Sequence, residues 1–300
     1  MKSTLMIFLD GVGIGQPDTR TNPFFKYKFR IFSEIFPTAP SLDNQTMTAG
    51  GAYLFPSDAC MGVKDLPQSG TGQTSIFCGV NAPKIVGHHF GPYPYSTLHP
   101  VIKEENIFIE FLRKKKKVAF ANAYPKIFFD YINSGRKRLS VTSLSCLMSG
   151  VRLKNLTDLR RGNALSAEID NRRWVESLNY KLQIIKPATA ARRLLRLADK
   201  NHFTLFEFFL TDHLGHGRYP DLTKYTLNVL DEFLYHVMKK LPKNISLVIC
   251  SDHGNLEDIT IKTHTRNPAL TITAGRNAKI LSEKIKHLYD IKPSILVVNT

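Results

Sequence analysis

Residues 4–9, Thr-Leu-Met-Ile-Phe-Leu, run without interruption into Asp10-Gly11-Val12-Gly13. A continuous apolar run that ends in an acid and a glycine turn reads as a strand buried on both faces of a parallel sheet, its carboxyl end opening into a loop. The pattern recurs twice. Residues 203–210 (FTLFEFFL) lead into Thr211-Asp212, and residues 245–250 (ISLVIC) lead into Ser251-Asp252. Open parallel sheets gather their ligand sites at the carboxyl ends of the strands, so the three aspartates are expected to meet. Helical patterns lie between: Ala188–Lys200 is rich in Ala, Leu and Arg, and Leu222–Leu241 carries an apolar stripe at Leu227, Leu230, Phe233, Leu234, Val237 and Met238. This alternation predicts an α/β fold, a three-layer α/β/α sandwich with a mostly parallel sheet. Residues 95–185 are less regular, with Val118–Ala121 strand-like and Ser134–Ser140 a basic loop. They are expected to form an inserted cap or substrate-facing segment, with residues 1–94 and 186–300 as the core.

Of the 300 residues, 43% are hydrophobic, ample for a packed core. Lys and Arg outnumber Asp and Glu by 41 to 25, a formal charge of +16, which suits a phosphorylated substrate, nucleic acid or an anionic membrane. The basic residues are scattered, and the one dense run, Arg113–Lys117, closes an amphipathic stretch and reads as a solvated helix end. Neither a specific nucleic acid nor a membrane is expected as partner. The four cysteines contain no CxxC pair, which argues against a disulfide framework or a thiolate zinc site and for a reducing, cytoplasmic setting. The apolar run at Leu5–Leu9 is too short for a signal sequence or a membrane span.

The chemistry-bearing residues cluster at the predicted strand ends. In Asp212-His213-Leu214-Gly215-His216 a carboxylate and an imidazole four residues apart share one helix face and can reach one cation. Asp252-His253-Gly254-Asn255 places a second pair where Gly254 permits a sharp bend, and His264 follows in the polar loop Thr263–Pro268. Together with Asp10 these are six oxygen and nitrogen donors without sulfur, more than one catalytic cation takes while keeping a position open. Two divalent cations are the economical count, with Mn²⁺, Zn²⁺ or Mg²⁺ all suited to the donors. Paired cations clamp the attacking and leaving oxygens in phosphate-transferring sites. The nucleophile is expected in Gln68-Ser69-Gly70-Thr71-Gly72-Gln73-Thr74-Ser75, where a hydroxyl at a loop-to-helix junction meets helix N-terminal amides. Ser69 is the first choice and Thr71 the second.

These motifs, in this order, resemble the alkaline phosphatase superfamily, and most of all its cofactor-independent phosphoglycerate mutase and phosphopentomutase branch. The resemblance rests on Asp10-Gly11, Asp212-x-x-x-His216, Ser251-Asp252-His253-Gly254-Asn255 and His264-Thr265-x-Asn267-Pro268. It implies one metal held by Asp212, His216 and His264, and another held by Asp10, Asp252, His253 and the nucleophile, with Ser69 on the family's serine loop. The loop here lacks the mutase sequence Asn-Ser-Glu-Val-Gly-His, and a chain of 300 residues is expected to be too short to hold the large transferase domain of the bacterial mutases. The expectation is therefore a phosphoester hydrolase or phosphomutase for a small anionic phosphorylated substrate. The alternative is a degenerate relative that binds an anionic ligand or partner.

Other residues admit blander readings. His88 and His89 lie in a Gly-rich stretch that either lines the pocket or forms a solvated turn, and His213 either supports the ligand set or adds a third imidazole near the metals. Arg136, Lys137, Arg138, Arg160 and Arg161 can clamp a phosphate bidentately or through point charge, or simply face solvent. Asp58 either shapes the serine loop or caps a turn.

Overall fold

A computed structural model of the chain describes residues 2–136 and 138–299. Seven strands form one sheet: β1 (Ser3–Leu9), β2 (Met47–Ala49), β3 (Ala52–Ser57), β4 (Val118–Phe120), β5 (Phe203–Phe208), β6 (Ile245–Ser251) and β7 (Ala269–Gly275). Their order is β2-β3-β7-β6-β1-β5-β4. The strands β6, β1, β5 and β4 run parallel, and β7 and β2 are the reversed ones. The sheet is thus mostly parallel, as the apolar runs predict.

β1 is buried along its whole length because both faces of the sheet are covered. Leu5, Ile7 and Leu9 pack toward one layer with Leu194, Phe206 and Phe233, while Met6 and Phe8 pack toward the other with Ile76 and Phe77. Each such side chain contributes about 1.5–3 kcal/mol by leaving water. The layering follows from helices α1 (Ser69–Cys78), α2 (Pro187–Lys200), α3 (Leu210–Gly215) and α4 (Thr223–Lys239). The bounds of α2 and α4 match the periodicity closely, and Pro187 starts α2 where a missing amide proton costs nothing.

The first part of residues 95–185 is built into the sandwich. Val118–Phe120 is the edge strand of the main sheet, and helices His99–Glu105, Ile107–Arg113 and Val141–Met148 bury Ile102, Phe108 and Val141 in the core that holds Met6 and Phe8. A separate small apolar cluster, Ala123, Leu159, Ala164 and Trp174 with Leu156, Tyr180 and Leu182 against it, lies under residues 156–182. The sequence reading also passes over β3 and β7, which carry polar residues such as Thr271 and Thr273 on buried backbone. None of the helices among the described residues is long and apolar enough to cross a membrane.

Candidate metal centre

Asp10 ends β1 and Asp252 follows β6, the neighbouring parallel strand, so both carboxylates emerge at one edge of the sheet. Asp212 arrives differently from expectation. The strand read as 203–210 ends at Phe208, Phe209 turns into the helical region, and Asp212 projects from the first turn of α3. Gly11 lets the chains converge: at φ +67°, it brings its backbone so close to Asp212 that a Cβ would stand 2.9 Å from Oδ1.

The six expected residues come together. Ligand atoms of Asp10, Asp252 and His253 lie within 4.8 Å of one another, as do those of Asp212, His253 and His264. His216 Nε2 stands 3.3 Å from Asp212 Oδ2, and His264 Nε2 stands 3.5 Å from Asp212 Oδ1. His253 Nε2 lies 3.3 Å from Asp10 Oδ1 and 3.5 Å from Asp252 Oδ2, and its ring stacks on that of His264 at 3.8 Å. Each imidazole is oriented from behind by a backbone carbonyl that accepts its Nδ1–H: Lys262 for His216 (2.8 Å), Pro67 for His264 (2.7 Å) and Gly254 for His253 (3.3 Å). This arrangement fixes the tautomer and turns every Nε2 toward the carboxylates, as metal-ligating histidines require.

Ser69 opens α1, and its Oγ lies 3.0 Å from His253 Nε2. Thr71 does not reach the cluster. Its hydroxyl donates to the Gln68 carbonyl, meets His89 Nδ1 at 3.3 Å and accepts the Phe90 amide. The helix starts at Ser69 itself despite Gly70 and Gly72, which are poor helix formers. Both are needed for close approach, since a Cβ on Gly70 would meet the Tyr93 carbonyl at 2.1 Å and one on Gly72 the Asp252 carbonyl at 2.9 Å.

The electrostatics are those of crowded like charges. Burial and the neighbouring Asp252 push the Asp10 carboxyl up to about 8, and burial likewise raises Asp252. Burial also opposes ionisation of Asp212, but hydrogen bonds from His216 and His264 hold it well below the usual carboxylate range. Burial disfavours a charged His253, yet Asp252 and Asp10 push that imidazole up to about 10. Asp10 Oδ1 is buried without a hydrogen-bond partner, as are Gln73 Oε1 and Asn255 Oδ1 nearby. Buried carboxylates at this spacing, unpartnered oxygens and aligned imidazoles fit divalent cations, whose charge offsets the repulsion.

Three supporting residues were missed in the sequence. Gln73, one helical turn after Ser69, reaches Asp10 Oδ2 and Asp252 Oδ2, both at 3.4 Å. Asn255 donates to Asp212 Oδ1 at 2.6 Å. Glu257, buried, accepts the amides of Gly13 (2.9 Å) and Asn255 (2.8 Å), the Asn267 side chain (3.0 Å) and the Thr265 hydroxyl. It thereby ties together the loops that carry Asp10, Asp252, His253 and His264. For Gln73 the i, i+4 relation to Ser69 was the available signal; Glu257 had none, being an acid in a polar loop.

Residues 150–298 match the model of the Metalloenzyme superfamily. The C-terminal half of this chain is similar to that superfamily. Two 2,3-bisphosphoglycerate-independent phosphoglycerate mutases are similar in sequence. The one from Clostridium kluyveri is 28% identical over 43% of this chain and 28% of its own length, and the one from Ehrlichia canis is 34% identical over 29% and 19%. The matched stretch therefore spans under a third of either mutase. In structure, the chain is similar over 99% of its length to the PH0037 protein of Pyrococcus horikoshii (96% of that chain, 13% identity, TM-score 0.57) and to the alkaline phosphatase of the Antarctic bacterium TAB5 (98%, 11%, 0.58). The fold is thus alkaline phosphatase-like, and the superfamily model and mutase matches make the chain a relative of metal-dependent phosphoryl-transfer enzymes, with divalent metal ions implied.

The remaining candidates lie elsewhere. His89 is buried, its Nε2 on the Cys60 carbonyl, bracing the first turn of α1, while His88 packs edge-on to Phe90 and Tyr95. His213 sits beside Phe209 and Tyr219, and burial lowers its pKa. Asp58 caps a turn by accepting the amides of Cys60 and Met61. Arg136 lies over the Tyr131 ring, Arg160 lines a separate groove, and Lys137 falls outside the described residues. Residues Glu168 to Ser177 share a 280 Å³ cavity with Leu210, Leu214 and Tyr219, which places that part of the 95–185 segment against α3.

Proposed function

We propose that the chain is a two-metal phosphoester hydrolase or phosphomutase acting on a small anionic phosphorylated substrate through Ser69. The observation that carries this reading is the Ser69 hydroxyl, 3.0 Å from His253 Nε2 and buried, at the N-terminus of a helix beside three carboxylates and three aligned imidazoles. Asp212, His216 and His264 would hold one cation, and Asp10, Asp252, His253 and Ser69 the other, with Mn²⁺, Zn²⁺ and Mg²⁺ as candidates. Bound there, the cations supply positive charge that lowers the hydroxyl pKa and offsets charge building on the phosphoryl oxygens.

Ser69 Oγ attacks phosphorus in line, a new P–O bond forming as the ester P–O bond opposite it breaks. The first amides of α1 face the phosphoryl oxygens, where a helix N-terminus favours negative charge. Water, or a second substrate hydroxyl, then resolves the phosphoseryl intermediate, which separates hydrolase from mutase. Glu168, Asp170, Arg172, Arg173 and Glu176 are the candidate contacts for the rest of the substrate, supported by the cavity they share with Leu210 and Leu214 of α3. The test is a screen of phosphomonoesters, phosphodiesters and sugar phosphates with each cation, run beside Ser69→Ala. Turnover lost in Ser69→Ala while bound metal is largely retained supports the reading; no turnover with any pairing, or full activity in the variant, refutes it.

A further inference from the structure

A second concave site lies beside α2, and none of the residues assigned to the metal centre lines it. Its walls are Leu159, Arg160, Asn171, Lys181 to Gln183, Ile185 and Arg193, around a groove of 580 Å³, within the size range of small-molecule sites. Three of these residues are cations and none is an acid. Among the described residues, no carboxylate lies within 4.0 Å of the charged groups of Arg160, Lys181, Arg193 or the adjacent Arg196, whereas Arg20, Arg30, Arg113, Arg152 and Arg172 all carry acidic partners.

Two of the guanidiniums, those of Arg193 and Arg196, are held by backbone carbonyls. Arg193 Nη1 donates to the Leu159 carbonyl at 3.5 Å and Arg196 Nη2 to the Gly162 carbonyl at 2.6 Å. Burial and Arg196 also lower the pKa of Arg193, the mark of positive charge kept without compensation. Asn171, buried, donates to the Gln183 carbonyl at 3.0 Å and so pins the 181–185 wall to the groove floor. Leu159, Leu182 and Ile185 supply apolar walls that strengthen charge interactions across the groove.

We propose that this groove is a metal-independent binding site for a small ligand bearing a short chain of phosphates. Arginine forks match phosphate oxygens bidentately, and cations arrayed around one cavity suit more than one phosphate group. Concavity argues for a compact ligand over a nucleic-acid backbone. The site goes beyond the reaction proposed above and does not depend on it.

The experiment is calorimetric titration of sodium tripolyphosphate into the full chain after metal removal and dialysis free of chelator. One site per chain is expected, unchanged in Ser69→Ala. Removing each guanidinium should weaken binding about tenfold, so Arg160→Ala with Arg193→Ala should reduce it on the order of a hundredfold. Arg160→Lys with Arg193→Lys, which keeps the charge but not the fork, should also lose most of the affinity. Circular dichroism checks that each variant folds. Wild-type affinity in either double variant, an equal loss in Lys114→Ala with Lys117→Ala on the exposed basic run, or no binding at all, overturns the proposal.

Discussion

Replacing Glu257 by alanine should cost far more than a loop substitution ordinarily does. The carboxylate accepts four hydrogen bonds, from Gly13 N, Asn255 N, Asn267 Nδ2 and the Thr265 hydroxyl, and it is 1% exposed. At roughly 1 kcal/mol net for each bond, the loss is about 4 kcal/mol, in the range reserved for broken buried networks and a large part of a typical domain's stability. Glycines 13 and 254 pack directly on this side chain, a Cβ at either lying within 2.5 Å of its Oε1, so the neighbours have little freedom to re-form the network. Urea unfolding of metal-free wild type and Glu257→Ala measures the difference. Because the same four bonds hold the loops of Asp10, Asp252, His253 and His264, metal affinity should fall about 10–100-fold in parallel. A stability change below about 1 kcal/mol with unchanged metal affinity would show that the carboxylate does not organise these loops.

Glu207, buried in β5 with Thr142 donating to it at 2.8 Å, has its carboxyl pushed up to about 8, chiefly by burial. The folded chain keeps this proton where the unfolded chain releases it, so the stability it contributes is complete below the ordinary value of 4.5 and is lost as pH rises toward 8. Thermal unfolding of metal-free Glu207→Gln should therefore match wild type near pH 5 and exceed it near pH 8; equal midpoints at both would contradict this. Gly72→Ala forces a Cβ to 2.9 Å from the Asp252 carbonyl, and should cost about 1–3 kcal/mol in unfolding free energy, as overpacking does. A variant as stable as wild type, with its metal intact, would mean that α1 is not pressed against the Asp252 loop.

The parallel half of the fold was legible because β1, β5 and β6 are buried on both faces and so are written as unbroken apolar runs. The antiparallel half was not, since β7 alternates threonines with aliphatics on backbone that is nonetheless buried. The residues gathered at the centre could be read from Asp212-x-x-x-His216 and Asp252-His253, where spacing alone brings a carboxylate and an imidazole near one point. Position was harder than identity for Asp212, which reaches the centre from a helical turn; Ser69 opens α1, where Gly70 and Gly72 give up helix propensity for contact. Asn255 and Glu257 act through hydrogen bonds within and between loops, and no local pattern announces such bonds, whereas Gln73 could be found only through its i, i+4 relation to Ser69. The break expected at residue 95 failed for a similar reason, because the short edge strand Val118–Phe120 shows its role only beside β5.

The central claim is that two cations share these six residues with Ser69. Elemental analysis by inductively coupled plasma mass spectrometry, on protein loaded with Mn²⁺ or Zn²⁺ and freed of excess, tests it directly. Wild type should carry two divalent ions per chain, and Asp252→Ala with His253→Ala one or none. A double variant that still holds two, or a folded wild type that holds none, would contradict the account.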